Sequence, residues 1–167
     1  GDLDLVEGNW NGQSNRVYLN DGGGSFSDSG QAIGSGNSAD LILGDVDGDG
    51  SPDIAVFDYG GPNKIYLNDG TGVFVDSLQN LGSDDSVAGV LGDIDNDGYL
   101  DFIVGNVLQP NLIYQNDGSG TFSTNGQQLG SDNSDSVALG DIDNDGDLDL
   151  VVGNREGANQ ANRIWIN

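Results

Sequence analysis

The feature that most constrains this chain is a spacing. A run of the form D-x-D-x-D-G-x-x-D occurs three times in 167 residues, each copy opened by a glycine, Gly44, Gly92 and Gly140, at a step of 48 residues. Phe26, Phe74 and Phe122 keep the same step, as do the triplets Asn20-Asp21-Gly22, Asn68-Asp69-Gly70 and Asn116-Asp117-Gly118. A nearly gapless period of this length marks a repeat array, in which each unit buries its apolar face only against its neighbours.

Within one period the pattern predicts four strands. In residues 86–125, Ser86 to Leu91 enters the Asp loop and Leu100-Asp101-Phe102-Ile103-Val104 leaves it. That second run is too short for a helix and is rich in β-branched and aromatic residues. A third strand, Leu112-Ile113-Tyr114-Gln115, ends at Asn116-Asp117-Gly118-Ser119-Gly120, residues that tolerate a left-handed turn. A fourth, around Thr121-Phe122-Ser123, returns along the third. Four antiparallel strands per ~45 residues make the blade of a β-propeller. The expected class is therefore all-β, with four-stranded antiparallel blades, two complete and two incomplete.

The phase at each end supports this division. Gly1-Asp2-Leu3-Asp4-Leu5-Val6 aligns with Gly146-Asp147-Leu148-Asp149-Leu150-Val151, in the middle of an Asp loop. Asn162-Arg163-Ile164-Trp165-Ile166-Asn167 aligns with Asn15-Arg16-Val17-Tyr18-Leu19-Asn20, a third strand. The expected organisation is one array: a partial blade at 1–33, blades at 34–82 and 83–130, and a partial blade at 131–167, with fourteen strands in groups of three, four, four and three. Without an initiator Met, the chain reads as a processed product or a fragment.

The three loops carry Asp45, Asp47, Asp49 and Asp53; Asp93, Asp95, Asp97 and Asp101; and Asp141, Asp143, Asp145 and Asp149. Alternate carboxylates on a tight loop converge on one point. Several hard oxygens there suit Ca²⁺, which takes about 6 to 8 of them, better than the strict octahedron of Mg²⁺. Gly50, Gly98 and Gly146 permit the sharp turn. The backbone carbonyls of Ser51, Tyr99 and Asp147, at loop position 7, are expected to add one oxygen each. An EF-hand begins in the same way but requires Glu at position 12, where this chain has Val56, Val104 and Val152. The Asp at position 9 takes the closing role instead. Three Ca²⁺ sites are the expectation.

Charge and composition fit that reading. The formal net charge is −24, and thirteen of the 28 acidic residues lie in the three loops, the twelve named above and Asp147, so bound divalent cations would relieve much of the repulsion. The four cationic residues, Arg16, Lys64, Arg155 and Arg163, are too few and too scattered for a nucleic-acid surface or an anionic membrane. No apolar stretch approaches the ~20 residues of a membrane-spanning helix. The absence of cysteine excludes disulfides and thiolate metal sites.

Gly140-Asp-Ile-Asp-Asn-Asp-Gly-Asp-Leu-Asp-Leu-Val-Val-Gly-Asn154, together with Ile65-Tyr-Leu-Asn-Asp-Gly-Thr-Gly-Val-Phe74, resembles the FG-GAP/VCBS-type repeat. The resemblance covers essentially the whole chain. It implies calcium-stabilised propeller blades like those of the integrin α-subunit head, some fungal lectins and many bacterial extracellular proteins. Propellers of this kind usually close with about seven blades, and this chain supplies parts of four.

The functional expectation is a non-enzymatic, extracellular or cell-surface structural or adhesion protein, where millimolar Ca²⁺ fills even weak sites. Its open blades would be completed by self-assembly into a ring or filament, or by the remaining blades of a longer propeller. The alternative is a lectin-like propeller, pointed to by Trp10 in the loop Glu7-Gly8-Asn9-Trp10-Asn11-Gly12-Gln13, where the other repeats have Tyr59, Val107 or Asn154-Arg155-Glu156. A protein ligand is also compatible. With no His and no Cys, only paired-carboxylate hydrolysis is chemically open. The clustered Asp residues are committed to metal, and Asp84, Asp85 and Asp132 read as solvated loop.

Overall fold

The computed structural model describes residues 2–155 and 160–167. Gly1, and Glu156 in the stretch aligned with Trp10, lie outside the described residues. Among those described, every regular element is a β-strand. The first sheet contains β1 (Leu5–Glu7), β2 (Asn15–Asn20) and β3 (Phe26–Ile33). The second contains β4 (Ser38–Gly44), β5 (Asp53–Asp58), β6 (Lys64–Asn68) and β7 (Phe74–Asp76). The third contains β8 (Ser86–Gly92), β9 (Asp101–Asn106), β10 (Asn111–Asn116) and β11 (Phe122–Leu129), and the last β12 (Ser134–Gly140), β13 (Asp149–Asn154) and β14 (Arg163–Trp165). Strand order follows chain order in every sheet and each pairing is antiparallel, giving the three-, four-, four- and three-stranded blades expected from the repeat.

β11 differs from its expected extent: it runs on to Leu129. Its middle is polar and exposed, with only Phe122 and Leu129 at its ends buried. A strand at the outside of a blade needs few apolar residues, so hydrophobic periodicity marks only its start. β5 and β9 are the opposite case, buried along their whole length. Both faces of these strands pack on neighbouring blades, which is why they read as unbroken apolar runs.

The core lies between the sheets. Phe57, Ile65 and Leu81 of the second blade meet Phe102, Val104, Tyr114 and Phe122 of the third. Phe102 stacks on Tyr114 with ring centres 4.8 Å apart and receives the edge of Phe57 at 5.8 Å. The first strands β4, β8 and β12 lie side by side, and one position there has no room for a side chain. At Gly89 an added Cβ would stand 2.1 Å from the Phe57 ring, a contact that a buried ring cannot relieve.

Candidate metal centres

Each Asp loop winds around the carboxylate at its first position. Asp45 accepts the N–H groups of Gly48 at 2.8 Å and Gly50 at 2.9 Å, one on each oxygen. Asp93 accepts Asp97 at 3.0 Å and Gly98 at 2.9 Å, and Asp141 accepts Asp145 and Gly146, both at 3.2 Å. The turn demands left-handed backbone at the position-6 glycines, where φ is 90° at Gly50, 92° at Gly98 and 101° at Gly146. A second left-handed residue at position 4, Gly48, Asn96 or Asn144, escaped the sequence reading. Its signal was present, since Gly and Asn are the residues that best tolerate this conformation.

The position-9 residues Asp53, Asp101 and Asp149 are almost fully buried at the start of each second strand. One carboxylate oxygen accepts the N–H at loop position 2, from Val46 at 2.8 Å, Ile94 at 3.1 Å and Ile142 at 2.8 Å. The other accepts the N–H of Asn68 at 2.8 Å, Asn116 at 2.8 Å and Asn167 at 2.9 Å, at the end of the third strand. Burial pushes the carboxyls of Asp53 and Asp101 above the usual range, against the pull of those two amides. At Asp149, in the three-stranded last blade, the amide bonds from Asn167 and Ile142 dominate and hold the carboxyl below it.

Carboxylate oxygens from positions 1, 3 and 9 meet in each loop. Asp45, Asp47 and Asp53 form one triad, Asp93, Asp95 and Asp101 a second, and Asp141, Asp143 and Asp149 a third, each with its donor atoms within 4.8 Å of one another. Three carboxylates this close repel unless a cation lies among them, and a set of hard oxygens can hold a metal ion. The fourth expected carboxylate, Asp49, Asp97 or Asp145, is not in the triad. It accepts the position-7 amide instead: Ser51 at 2.7 Å, Tyr99 at 2.9 Å and Asp147 at 3.0 Å. The same link recurs in the first blade, where Asp4 accepts the Asn20 N–H at 2.9 Å.

The asparagine that ends each third strand does more than turn the chain. The Asn116 side-chain oxygen accepts the amides of Gly118 and Gly120, and its nitrogen donates to the carbonyls of Leu100 at 3.0 Å and Val46 at 2.7 Å. It thus ties its own loop, the following turn and the preceding blade's loop together. Elsewhere, Trp10 packs on Tyr59 of the next blade at 5.8 Å between ring centres, with both rings partly exposed. Asp132 is not simply solvated loop, since its carboxylate pairs with Arg163 at 2.6 Å.

Among the described residues no helix is long and apolar enough to cross a membrane. No curated protein sequence matches the chain. Twelve solved chains match it in structure. One lies in the crystal structure of BBS1N in complex with ARL6DN, soaked with lead, with a TM-score of 0.52 and 14% identity over 91% of this chain. The match spans 50% of that chain, a likeness of fold alone. The profile of the FG-GAP-like repeat matches residues 1–56, 45–104 and 93–152, successive windows that each take in Asp-loop residues. The chain is therefore a member of the FG-GAP-like repeat family, built as β-propeller blades.

Proposed function

We propose that the chain is a calcium-stabilised, non-enzymatic structural or adhesion module that works outside the cell, with its open blades completed by copies of itself or by further blades. The observation that carries this reading is the recurrence of the same carboxylate triad in all three complete loops. Oxygen-only donors on a flexible loop favour Ca²⁺, and each ion would pin a loop between the first and second strands of a blade. In this role the position-5 carboxylates and the position-7 carbonyls would close around the ion as it enters. The ion is structural, because the carboxylates that would surround it leave no open position for a reacting group. Extracellular Ca²⁺ is abundant enough to fill three such sites, and a formal charge of −24 makes that filling matter for compactness.

Particle mass by light scattering, in millimolar calcium and again in chelator, tests the assembly. A ring or filament that disperses in chelator supports it. A ~17 kDa monomer in calcium contradicts self-completion.

A second reading is favoured by the paired rings of Trp10 and Tyr59. Beside them is an open depression lined by Gly8, Ser38, Asp40 and Leu41. Aromatic faces beside polar side chains suit a sugar ring. A glycan array with Trp10→Ala as control distinguishes the two, and absence of any glycan signal removes the lectin reading.

A further inference from the structure

β3, β7 and β11 are the outer strands of the first three blades and repeat equivalents of one another. β3 and β11 expose Ser27 and Ser123, and the turns before them expose Ser25 and Thr121. At these two positions the second blade has Val75 and Val73, 62% and 54% exposed. Exposed β-branched apolar residues on a sheet edge favour pairing with another chain, and small polar residues suppress it. The second blade, which has a neighbouring sheet on either side, therefore carries an edge that the first and third avoid.

A third position sharpens the contrast. Gly30 and Gly126, at the bulges of β3 and β11, take φ of 79° and 81°, and their equivalent in the second blade is Leu78 at φ 64°. The three turns are otherwise alike. The Gly30 N–H is accepted by Asp28 at 2.8 Å, that of Leu78 by Asp76 at 2.7 Å, and that of Gly126 by the Thr124 hydroxyl at 3.1 Å. A leucine is strained in this conformation, and at 80% exposed Leu78 recovers nothing by burial. Strain kept where it does not stabilise the fold points to a surface held for contact.

Leu67 pairs with Val75 across the strands, and with Val73 these side chains line an open depression of about 270 Å³ rimmed by Asp47, Asp49 and Asp69. Branched aliphatic groups flanked by cations complement such a surface. A second copy of the chain does not supply them. Its four cationic side chains are each paired, Arg16 with Asp28, Lys64 with Asp76, Arg155 with Asp135 and Arg163 with Asp132. With a formal charge of −24, two such faces repel.

We propose that this face of the second blade docks a basic partner protein, through an extended segment that alternates branched aliphatic residues between Lys or Arg. The segment lies along β7 with its aliphatic side chains against Leu67, Val73 and Val75 and its cations at Asp49 and Asp69. Leu78 extends the contact past the end of the strand. Main-chain pairing supplies affinity, and the side chains on alternate positions supply selectivity. The site lies within one blade and does not depend on how the array is completed.

The probe is the synthetic peptide Lys-Thr-Val-Thr-Val-Thr-Lys, titrated into the isotope-labelled chain in millimolar calcium and followed by nuclear magnetic resonance. The expected result is a saturable shift of the Val73, Val75 and Leu78 amide resonances. Affinity should be about three- to tenfold lower for the same peptide with Glu at both ends. A triple variant, Val73→Ser with Val75→Ser and Leu78→Gly, gives the second blade the residues of the first. It should keep its Tm and bind the Lys-flanked peptide at least about tenfold more weakly. No saturable shift, shifts confined to other residues, or equal binding by the triple variant overturns the site. Equal binding of the Glu-flanked peptide overturns the basic partner. A concentration-dependent mass of the free chain that the variant abolishes assigns the face to a second copy and also overturns the proposal. A clear loss of Tm in the variant means that the three residues serve the fold, which removes the argument from strain.

Discussion

The Asp101 carboxylate accepts the main-chain N–H of Asn116 at 2.8 Å, joining the end of an Asp loop to the end of the third strand of the same blade. Its other oxygen holds Ile94 at 3.1 Å, so one buried side chain fixes both sides of the loop. Asn116 passes the constraint on through its bonds to Val46 in the preceding blade and to the glycines of the next turn. Loop order and blade packing are therefore coupled, and an ion that orders the loop strengthens the contact between blades.

Asp101→Asn tests this coupling. An amide of the same shape accepts through only one of its two ends, leaving Ile94 or Asn116 unpaired in a buried site. The expected loss is about 1–3 kcal/mol in urea denaturation with chelator present. The loss should be larger in calcium, because a ligand is removed as well. Equal losses in the two conditions would mean that Asp101 is a structural residue without a part in the metal site.

Phe122 and Phe26 are repeat equivalents in different surroundings. Phe122 is 6% exposed between two blades and Phe26 is 50% exposed on the first blade's open face. Phe122→Ala should cost about 3–5 kcal/mol. Phe26→Ala should cost well under ~1 kcal/mol in a monomer and more if a neighbouring blade covers that face. Denaturation midpoints of the two variants over a range of protein concentration check both statements.

Stability should respond to pH in opposite senses with and without metal. Burial raises the carboxyls of Asp53, Asp58 and Asp101. Their favourable contribution is full when they are protonated, and is lost as pH rises from the ordinary carboxylate value through the raised one. The turn carboxylates respond the other way: Asp21 is lowered chiefly by the Gly23 amide, Asp69 by the Thr71 hydroxyl and Asp117 by the Ser119 hydroxyl. Their contribution is lost as pH falls below the ordinary value. In chelator, the Tm should therefore peak at mildly acidic pH and decline toward neutrality. In calcium it should rise toward neutrality, because protons and metal compete for the triads. A calorimetric pH series with the two curves parallel would contradict this.

Much of the architecture was legible because the repeat states it three times. The loop carboxylates, the apolar second strands and the Asn-Asp-Gly turns all recur in register, and each has a local physical signature. What escaped was what depends on contacts between repeats. The polar middle of β11 carries no periodicity because it faces solvent. Gln31, Gln79 and Gln127 recur at the repeat spacing, but a glutamine has no local conformational signature, and its meaning appears only once the next blade's turn lies against it. The separation of Asp49, Asp97 and Asp145 from the triads is likewise invisible in a D-x-D-x-D pattern, which treats the three carboxylates alike.

The most direct test of the account is calorimetric titration of calcium into the chelator-stripped chain, followed through its thermal unfolding. Three ions should bind per chain, the Tm should rise with free calcium, and Asp45→Ala, Asp93→Ala and Asp141→Ala should each remove one ion from the stoichiometry. A Tm indifferent to millimolar calcium, with no heat of binding, would contradict the claim that these loops are metal centres that hold the blades together.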